Sequence, residues 1–315
     1  MQLSEKFVLG IDFGGTKVAL ATFDGHGRVL ESDRHTFAPG WDAEQIVADA
    51  IERAIVVLER TEQNHPELAG AGGCAAVGVS SPGIVLADRV LLAPNVTGWH
   101  DLALAARLRA GLGIEPVVGT DVKAAAVAER RWGSLREQDH AIYLNLGTGI
   151  AAALVVNGAV VHGANGAAGE LAYNLDDPDG AWDGVRSGRS PLEEIVSGRA
   201  IGVRGAELTG GPPSARAVFE RARTDPAAGR LIDTALRHLA LHVVNLAIAV
   251  DPAVIAVGGG LMAAAERILP VLREAVQAAV PFPPQVIPAH FLHDAALRGA
   301  AAMALDGVGP QPVAS

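Results

Sequence analysis

Cysteine is almost missing from this chain: Cys74 is the single thiol in 315 residues. No intramolecular disulfide can form, and a zinc site built from several thiolates is excluded. Aromatic residues make up only 4% of the sequence, so alanine, valine and leucine must build the core. Basic runs are absent and the formal net charge is −10, which argues against a nucleic-acid or anionic-membrane partner. Met1-Gln2-Leu3-Ser4-Glu5-Lys6 has no charged segment followed by an apolar one, so no secretory leader is expected. The most apolar stretch, residues 239–250, is interrupted by His242 and Asn245 and is too short to span a bilayer. These absences predict a soluble, cytoplasmic protein. Half of its residues are hydrophobic, enough for two modest domains.

What is present is a plan used twice. Strands are predicted at about 7–13, 18–23 and 28–34, and the apolar spacing Ile46, Val47, Ala50, Ile51, Ala54, Ile55, Leu58 predicts a helix. A buried strand over 75–79 ends in the turn Ser80-Ser81-Pro82-Gly83. After a helix over 102–112 and a short strand over 116–118, Asp121 stands at the start of a helix to Trp132. The plan then restarts. A strand over 141–146, the turn Gly147-Thr148-Gly149, a strand over 150–156 and the hairpin Asn157-Gly158 repeat the opening of the chain. Residues 174–191 read as a long polar loop, and helices are predicted at about 192–204, 214–223, 226–250, 261–280 and 294–305. Two such units point to two related α/β halves facing each other.

The residues with chemical promise lie at strand ends. In Leu9-Gly10-Ile11-Asp12-Phe13-Gly14-Gly15-Thr16-Lys17 a strand delivers a carboxylate, followed by two glycines, a hydroxyl and an ammonium. Asp12 can hold Mg²⁺ through water, and backbone N–H groups at Gly14 and Gly15 can approach an anion. The run is neither a Walker A loop nor a dinucleotide fingerprint. It also reads as a plain glycine hairpin between two strands. Gly147-Thr148-Gly149 and Gly258-Gly259-Gly260 have the same pair of readings, phosphate or ribose contact against ordinary turn. Together the three turns describe a nucleotide lying between two halves. Asp121 is a candidate general base, although by position alone it reads more readily as a helix cap, and the two roles are not exclusive. Glu170 closes a stretch of small residues and could bond vicinal hydroxyls. Asn95 could both donate to and accept from one sugar hydroxyl.

In their order and spacing these segments resemble the ROK family (repressors, open reading frames and sugar kinases). The resemblance rests on Asp12-Phe13-Gly14-Gly15-Thr16-Lys17, Pro94-Asn95-Val96-Thr97-Gly98-Trp99, Asp121 with its Ala-rich helix, Gly147-Thr148-Gly149-Ile150, residues 162–170 and Val257-Gly258-Gly259-Gly260. It implies an α/β, two-domain actin-like ATPase (ribonuclease H-like) fold of the hexokinase type. The implied small domain covers residues 1–119 plus 292–315 and the larger one 120–291, with the active site in the cleft between them. It also implies an ATP- and Mg²⁺-dependent kinase acting on a hexose hydroxyl, usually at C6, and a homodimer. The motif opens at Leu9, so no DNA-binding helix-turn-helix is expected ahead of it. A non-catalytic sugar-binding sensor on the same scaffold is the alternative, and polyphosphate is an alternative donor.

On that resemblance Asp121 is the catalytic base and Asp12 positions Mg²⁺. Gly14, Gly15, Thr16, Lys17, Gly147, Thr148 and Gly149 hold phosphates, while Gly259 and Gly260 border the adenosine. Asn95, Thr120, Glu170, Tyr173 and Glu193 are the implied sugar contacts. Three departures stand out. The family's Asn-Asp-x-Asn is here Thr120-Asp121-Val122-Lys123. The Gly-His that follows the family's sugar-binding Glu is replaced after Glu170 by Leu171-Ala172-Tyr173, and Pro191 stands where a Cys precedes Leu-Glu. No cysteine occurs in the loop, so the structural zinc of many members is not expected. These changes predict a glucose relative, such as an amino sugar, rather than glucose itself.

Overall fold

The structure is a computed structural model that describes residues 6–38, 40–70, 73–93, 96–177, 179–180, 182 and 184–307. In chain order the first elements are β1 (Phe7–Phe13), β2 (Lys17–Asp24), β3 (Val29–Thr36), α1 (Ala43–Asn64), α2 (Pro66–Gly70), β4 (Cys74–Ser81), β5 (Ile84–Val85), β6 (Val90–Leu91), α3 (Leu104–Leu112), β7 (Pro116–Thr120) and α4 (Asp121–Trp132). Then follow β8 (Ala141–Leu146), β9 (Ile150–Val156), β10 (Ala159–Val160), α5 (Glu193–Val196), α6 (Gly198–Thr209), α7 (Ala215–Arg221), α8 (Pro226–Val250), β11 (Val254–Gly258), α9 (Ala265–Ala279), β12 (Gln285–Pro288) and α10 (Ala295–Asp306).

Packing divides the chain into two units. One holds the chain up to Trp132, His162–Ala167 and the chain from Asp294 on; the other holds Gly133–Val161 and Ala168–His293. Each has one five-stranded sheet of the same design: β3-β2-β1-β4-β7 in the first and β10-β9-β8-β11-β12 in the second. In each, an antiparallel hairpin (β1/β2, β8/β9) is extended by two parallel neighbours. The doubled plan in the sequence is therefore a doubled sheet, the mixed α/β architecture of the actin-like ATPase fold. β1 and β8 are central and covered on both faces, which is why they read as apolar runs rather than alternating ones.

Helix α4 belongs with the first unit, whereas the sequence-based division at residue 119 assigns it to the second. Its small residues explain the placement. A Cβ added at Gly299 of α10 would lie 1.9 Å from the Ala124 carbonyl oxygen, so the two helices meet at backbone distance. α10 presses equally close on the sheet: a Cβ at Gly78 of β4 would lie 1.8 Å from the Ala300 oxygen. Gly78→Ala is expected to destabilise the protein by about 1–3 kcal/mol through overpacking. A urea midpoint equal to that of the unaltered chain would contradict this.

α8 is long and apolar enough to span a membrane by length and composition, and half of that apolar window is buried inside the structure. Ile232, Leu236, Leu239, Val243 and Ala247 face the core of the second unit at helical spacing. β12 is absent from the sequence reading because it is four residues long and follows Pro283-Pro284; it lies at a sheet edge, where proline is tolerated.

Candidate active site

In the first unit, Asp12 is the penultimate residue of β1 and is in register with Ser80 on the parallel neighbour β4. The Ser80 hydroxyl donates a short hydrogen bond to Asp12 Oδ1. Burial pushes the Asp12 carboxyl up, against the pull of Ser80, Lys17 and Arg34. The turn after it closes by Gly14 N–H donating to the Lys17 carbonyl at 2.9 Å, and Gly15, Thr16 and Lys17 are exposed. The hairpin and the anion-binding readings of this run are thus compatible: the same turn that joins β1 to β2 presents the glycines to solvent. Phe13 packs on the buried Trp99 with ring centroids 5.2 Å apart, and Trp99 Nε1 donates to Ser81 Oγ at 3.0 Å. That anchors the end of the Pro94–Trp99 motif; Asn95 itself lies outside the described residues.

Asp121 opens α4. Its neighbour Thr120 carries the capping function, because Thr120 Oγ1 accepts the Lys123 N–H at 3.3 Å. Asp121 Oδ1 accepts the adjacent Val122 N–H, at 2.9 Å. The Asp121 side chain is open to solvent, yet the protein around it is dense. That desolvation, with the Asp12 carboxylate second, pushes its pKa up to about 6. Access and a raised pKa together are what a proton acceptor working near neutrality requires.

In the second unit the turn Gly147–Gly149 joins β8 to β9. Its carbonyls are tied to the start of α6: Gly147 O accepts Gly198 N–H at 2.9 Å, and Thr148 O accepts Arg199 N–H at 3.2 Å. Gly259, at φ +90°, turns the chain out of β11 so tightly that a Cβ would lie 2.4 Å from the Leu146 oxygen. Only glycine meets both demands. Gly147, Thr148, Arg199, Phe219, Gly260 and Leu261 are among the residues lining one cavity of about 1050 Å³. This volume suits a nucleotide.

Glu193 sits at this turn. Its Oε2 accepts Ile150 N–H at 3.1 Å, and a Cβ at Gly149 would lie 2.4 Å from the same oxygen. Burial pushes its carboxyl up, while the Ile150 N–H and Arg199 pull it back. Glu170 follows Gly169, whose carbonyl accepts Ala152 N–H at 2.8 Å. Burial and then the Glu170 carboxylate push the Tyr173 hydroxyl up, so these two candidate sugar contacts are close.

Beyond Tyr173 the polar loop is fastened to α8. Asp176 accepts from His242 Nε2 at 3.0 Å and pairs closely with His238, and Asn174 bonds His242 Nδ1 at 3.2 Å. Burial opposes the Asp176 charge, but the two imidazoles outweigh it and hold the carboxyl below its usual range. Asp176→Ala, which leaves both imidazoles without that acceptor, is expected to cost about 1.5–3 kcal/mol. Unchanged thermal unfolding would refute this.

Sequence reasoning gave no role to Ser80, Trp99 or Arg34 and did not foresee the Asp176–His238–His242 clamp. His238 and His242 at i and i+4 shared a helix face and were the one legible signal. Cys74 is half-buried and its thiol is pushed up to about 11 by burial, an inert position.

A family model described as the ROK family matches residues 8–307. The chain is 26% identical to a glucokinase of Thermotoga maritima, over 96% of this chain and 98% of that one. It is 30% identical to an N-acetylmannosamine kinase of Escherichia coli, over 94% of this chain and 97% of that one. Among solved structures, a ROK hexokinase from Thermus thermophilus superposes with a TM-score of 0.78 at 28% identity, covering 96% of this chain and 98% of that one. A ROK glucokinase from Streptomyces griseus, in complex with glucose and AMPPNP, does so with a TM-score of 0.76 at 28% identity, covering 96% of this chain and all of that one.

Proposed function

Since the chain belongs to the ROK family, we propose that it is an ATP-dependent sugar kinase that phosphorylates a hexose or amino-hexose hydroxyl, at C6. The observation that carries this is Asp121: a solvent-open carboxylate just past the end of β7, pushed up to about 6 by the dense protein around it and by the charge of Asp12, which lies near the end of β1 two strands away in the same sheet. A pure binding protein needs neither a base poised near neutrality nor a second acid beside it.

Phosphoryl transfer depends on alignment and charge stabilisation more than on covalent chemistry by the protein. Asp121 takes the proton of the sugar hydroxyl as its oxygen bonds to the γ-phosphorus, and the bond from that phosphorus to the β-phosphate oxygen breaks to leave ADP. Asp12 fits a hard cation: it is a strand-end carboxylate whose charge is under-compensated. One carboxylate plus phosphate oxygens is a usual donor set for Mg²⁺. When bound there, Mg²⁺ would offset the phosphates' negative charge. Lys17 adds a positive charge beside them, and the N–H groups of Gly14, Gly15 and Thr16 add donors. The cavity bordered by Gly147, Thr148 and Gly260 takes the nucleotide, with Gly149 and Gly259 shaping its turns. Asn95, Glu170, Tyr173 and Thr120 are the proposed sugar contacts. Glu193, bonded to Ile150 N–H just after the Gly147–Gly149 turn, serves the phosphate side instead.

Relatives named as glucokinase and N-acetylmannosamine kinase bracket the substrate class. Thr120 in place of Asn and Tyr173 in place of His favour an amino sugar or other modified hexose. A coupled ADP-release assay with Mg-ATP over glucose, mannose, N-acetylmannosamine and N-acetylgalactosamine tests this. Highest kcat/KM with glucose would defeat the amino-sugar reading, and no sugar-dependent ADP would defeat the kinase.

A further inference from the structure

Two residues after Asp121, on the first turn of α4, Lys123 is only 2% exposed. A buried ammonium is costly unless it is hydrogen-bonded and near opposite charge. Both conditions are met. Lys123 Nζ donates to the Gly166 carbonyl at 2.8 Å, and its charge acts on Asp121. Gly166 belongs to the segment His162–Ala167, which packs in the same unit as α4. The segment also packs close to β5. Gly166 sits at φ +72°, and a Cβ there would lie 3.0 Å from the Val85 oxygen on β5. His162, at the head of the segment, is pushed below its ordinary range by burial and by the Lys123 charge. The root of the lysine is fixed too, since its N–H is bonded by Thr120 Oγ1.

Capping does not need an ammonium, and filling the niche needs only a methionine. The ammonium is what lets the side chain hold that carbonyl with a charge-assisted hydrogen bond. We propose that Lys123 is a positioning residue for the acceptor sugar: it pins the Gly163–Gly166 turn to the helix that carries Asp121, so that turn and base present one preset surface to the ligand. The resemblance puts an amide, Asn, at this place. Here a longer cationic arm reaches a backbone oxygen 43 residues away in the chain. Preorganisation of this kind lowers the ordering cost of binding. The inference rests on the sugar-kinase reading only in naming the ligand a hexose.

The test is calorimetric titration of the full chain and its Lys123→Met variant with glucose and with N-acetylmannosamine, and separately with AMPPNP. For the sugar that the unaltered protein binds, Kd is expected to rise about tenfold or more in Lys123→Met, the loss of one charge-assisted hydrogen bond. The AMPPNP Kd is expected to stay within about twofold, a change too small to register as a lost contact. Lys123→Gln keeps an N–H donor without the charge and is expected to fall between. It replaces Lys123→Met, on the same criteria, if the latter does not fold. An unchanged sugar Kd, or equal weakening of sugar and AMPPNP, overturns the inference and leaves the kinase reading standing. Sugar binding without ADP release overturns the kinase reading alone, and no sugar binding by the unaltered protein overturns both.

Discussion

Replacement of Asp121 by Asn is expected to lower kcat by about 10²- to 10⁴-fold, the size of a general-base effect, with sugar binding largely retained. The amide keeps the shape of the carboxylate and cannot take a proton. Desolvation by the dense protein around it, and secondarily Asp12, pushes the Asp121 carboxyl up to about 6, and the base must be ionised to work. The kcat/KM of the unaltered protein is therefore expected to fall as pH drops below about 6 and to level off above it. Stability follows the opposite sense. The folded pKa lies above the ordinary 3.8, so between about pH 4 and 6 the folded chain binds more protons than the unfolded one, and stability declines as pH rises through that window. Asp121→Asn removes this cost and is expected to resist urea better than the unaltered chain near pH 7.5, with the advantage gone below about pH 4. Near-normal turnover in the variant, or an acid limb at an ordinary carboxylate pKa, would sink the role given to Asp121.

Asp12→Asn is expected to reduce kcat by about 10²- to 10³-fold, comparable to removing one preorganised electrostatic group, and to raise the Mg²⁺ concentration that gives half-maximal rate. The substitution preserves an acceptor for the Ser80 hydroxyl, so the β1–β4 junction survives and the loss reports charge rather than collapse. A Mg²⁺ titration with an unchanged midpoint would remove Asp12 from the cation's surroundings. The two variants are distinguishable: excess Mg²⁺ partly restores Asp12→Asn and leaves Asp121→Asn where it was.

Much of this molecule is written in short-range pattern. Strand 141–146 and helix 226–250 stand where apolar spacing predicts them, because periodicity and caps act over one or two turns. The predicted helix over 192–204 is instead two, α5 and α6, broken at Ser197, whose side chain accepts from Ala200 N–H and starts the second. The signal was a Ser-Gly pair inside a helical pattern, and it lost to the periodicity around it. The predicted helix over 261–280 likewise begins as a 3₁₀ turn, because Gly259 must first clear the end of β8.

Within the chain alone lay the doubled strand–glycine turn–strand plan, the carboxylates at strand ends and the absence of paired thiols, all properties of neighbouring residues or of composition. Only the tertiary structure decided that Ser80 bonds Asp12, that Glu193 bonds the start of β9 at Ile150, that Asp176 sits between His238 and His242, and that Lys123 reaches Gly166. These pairs lie 43 to 68 residues apart in the chain. Their meeting is set by sheet register and helix packing, which no local propensity encodes.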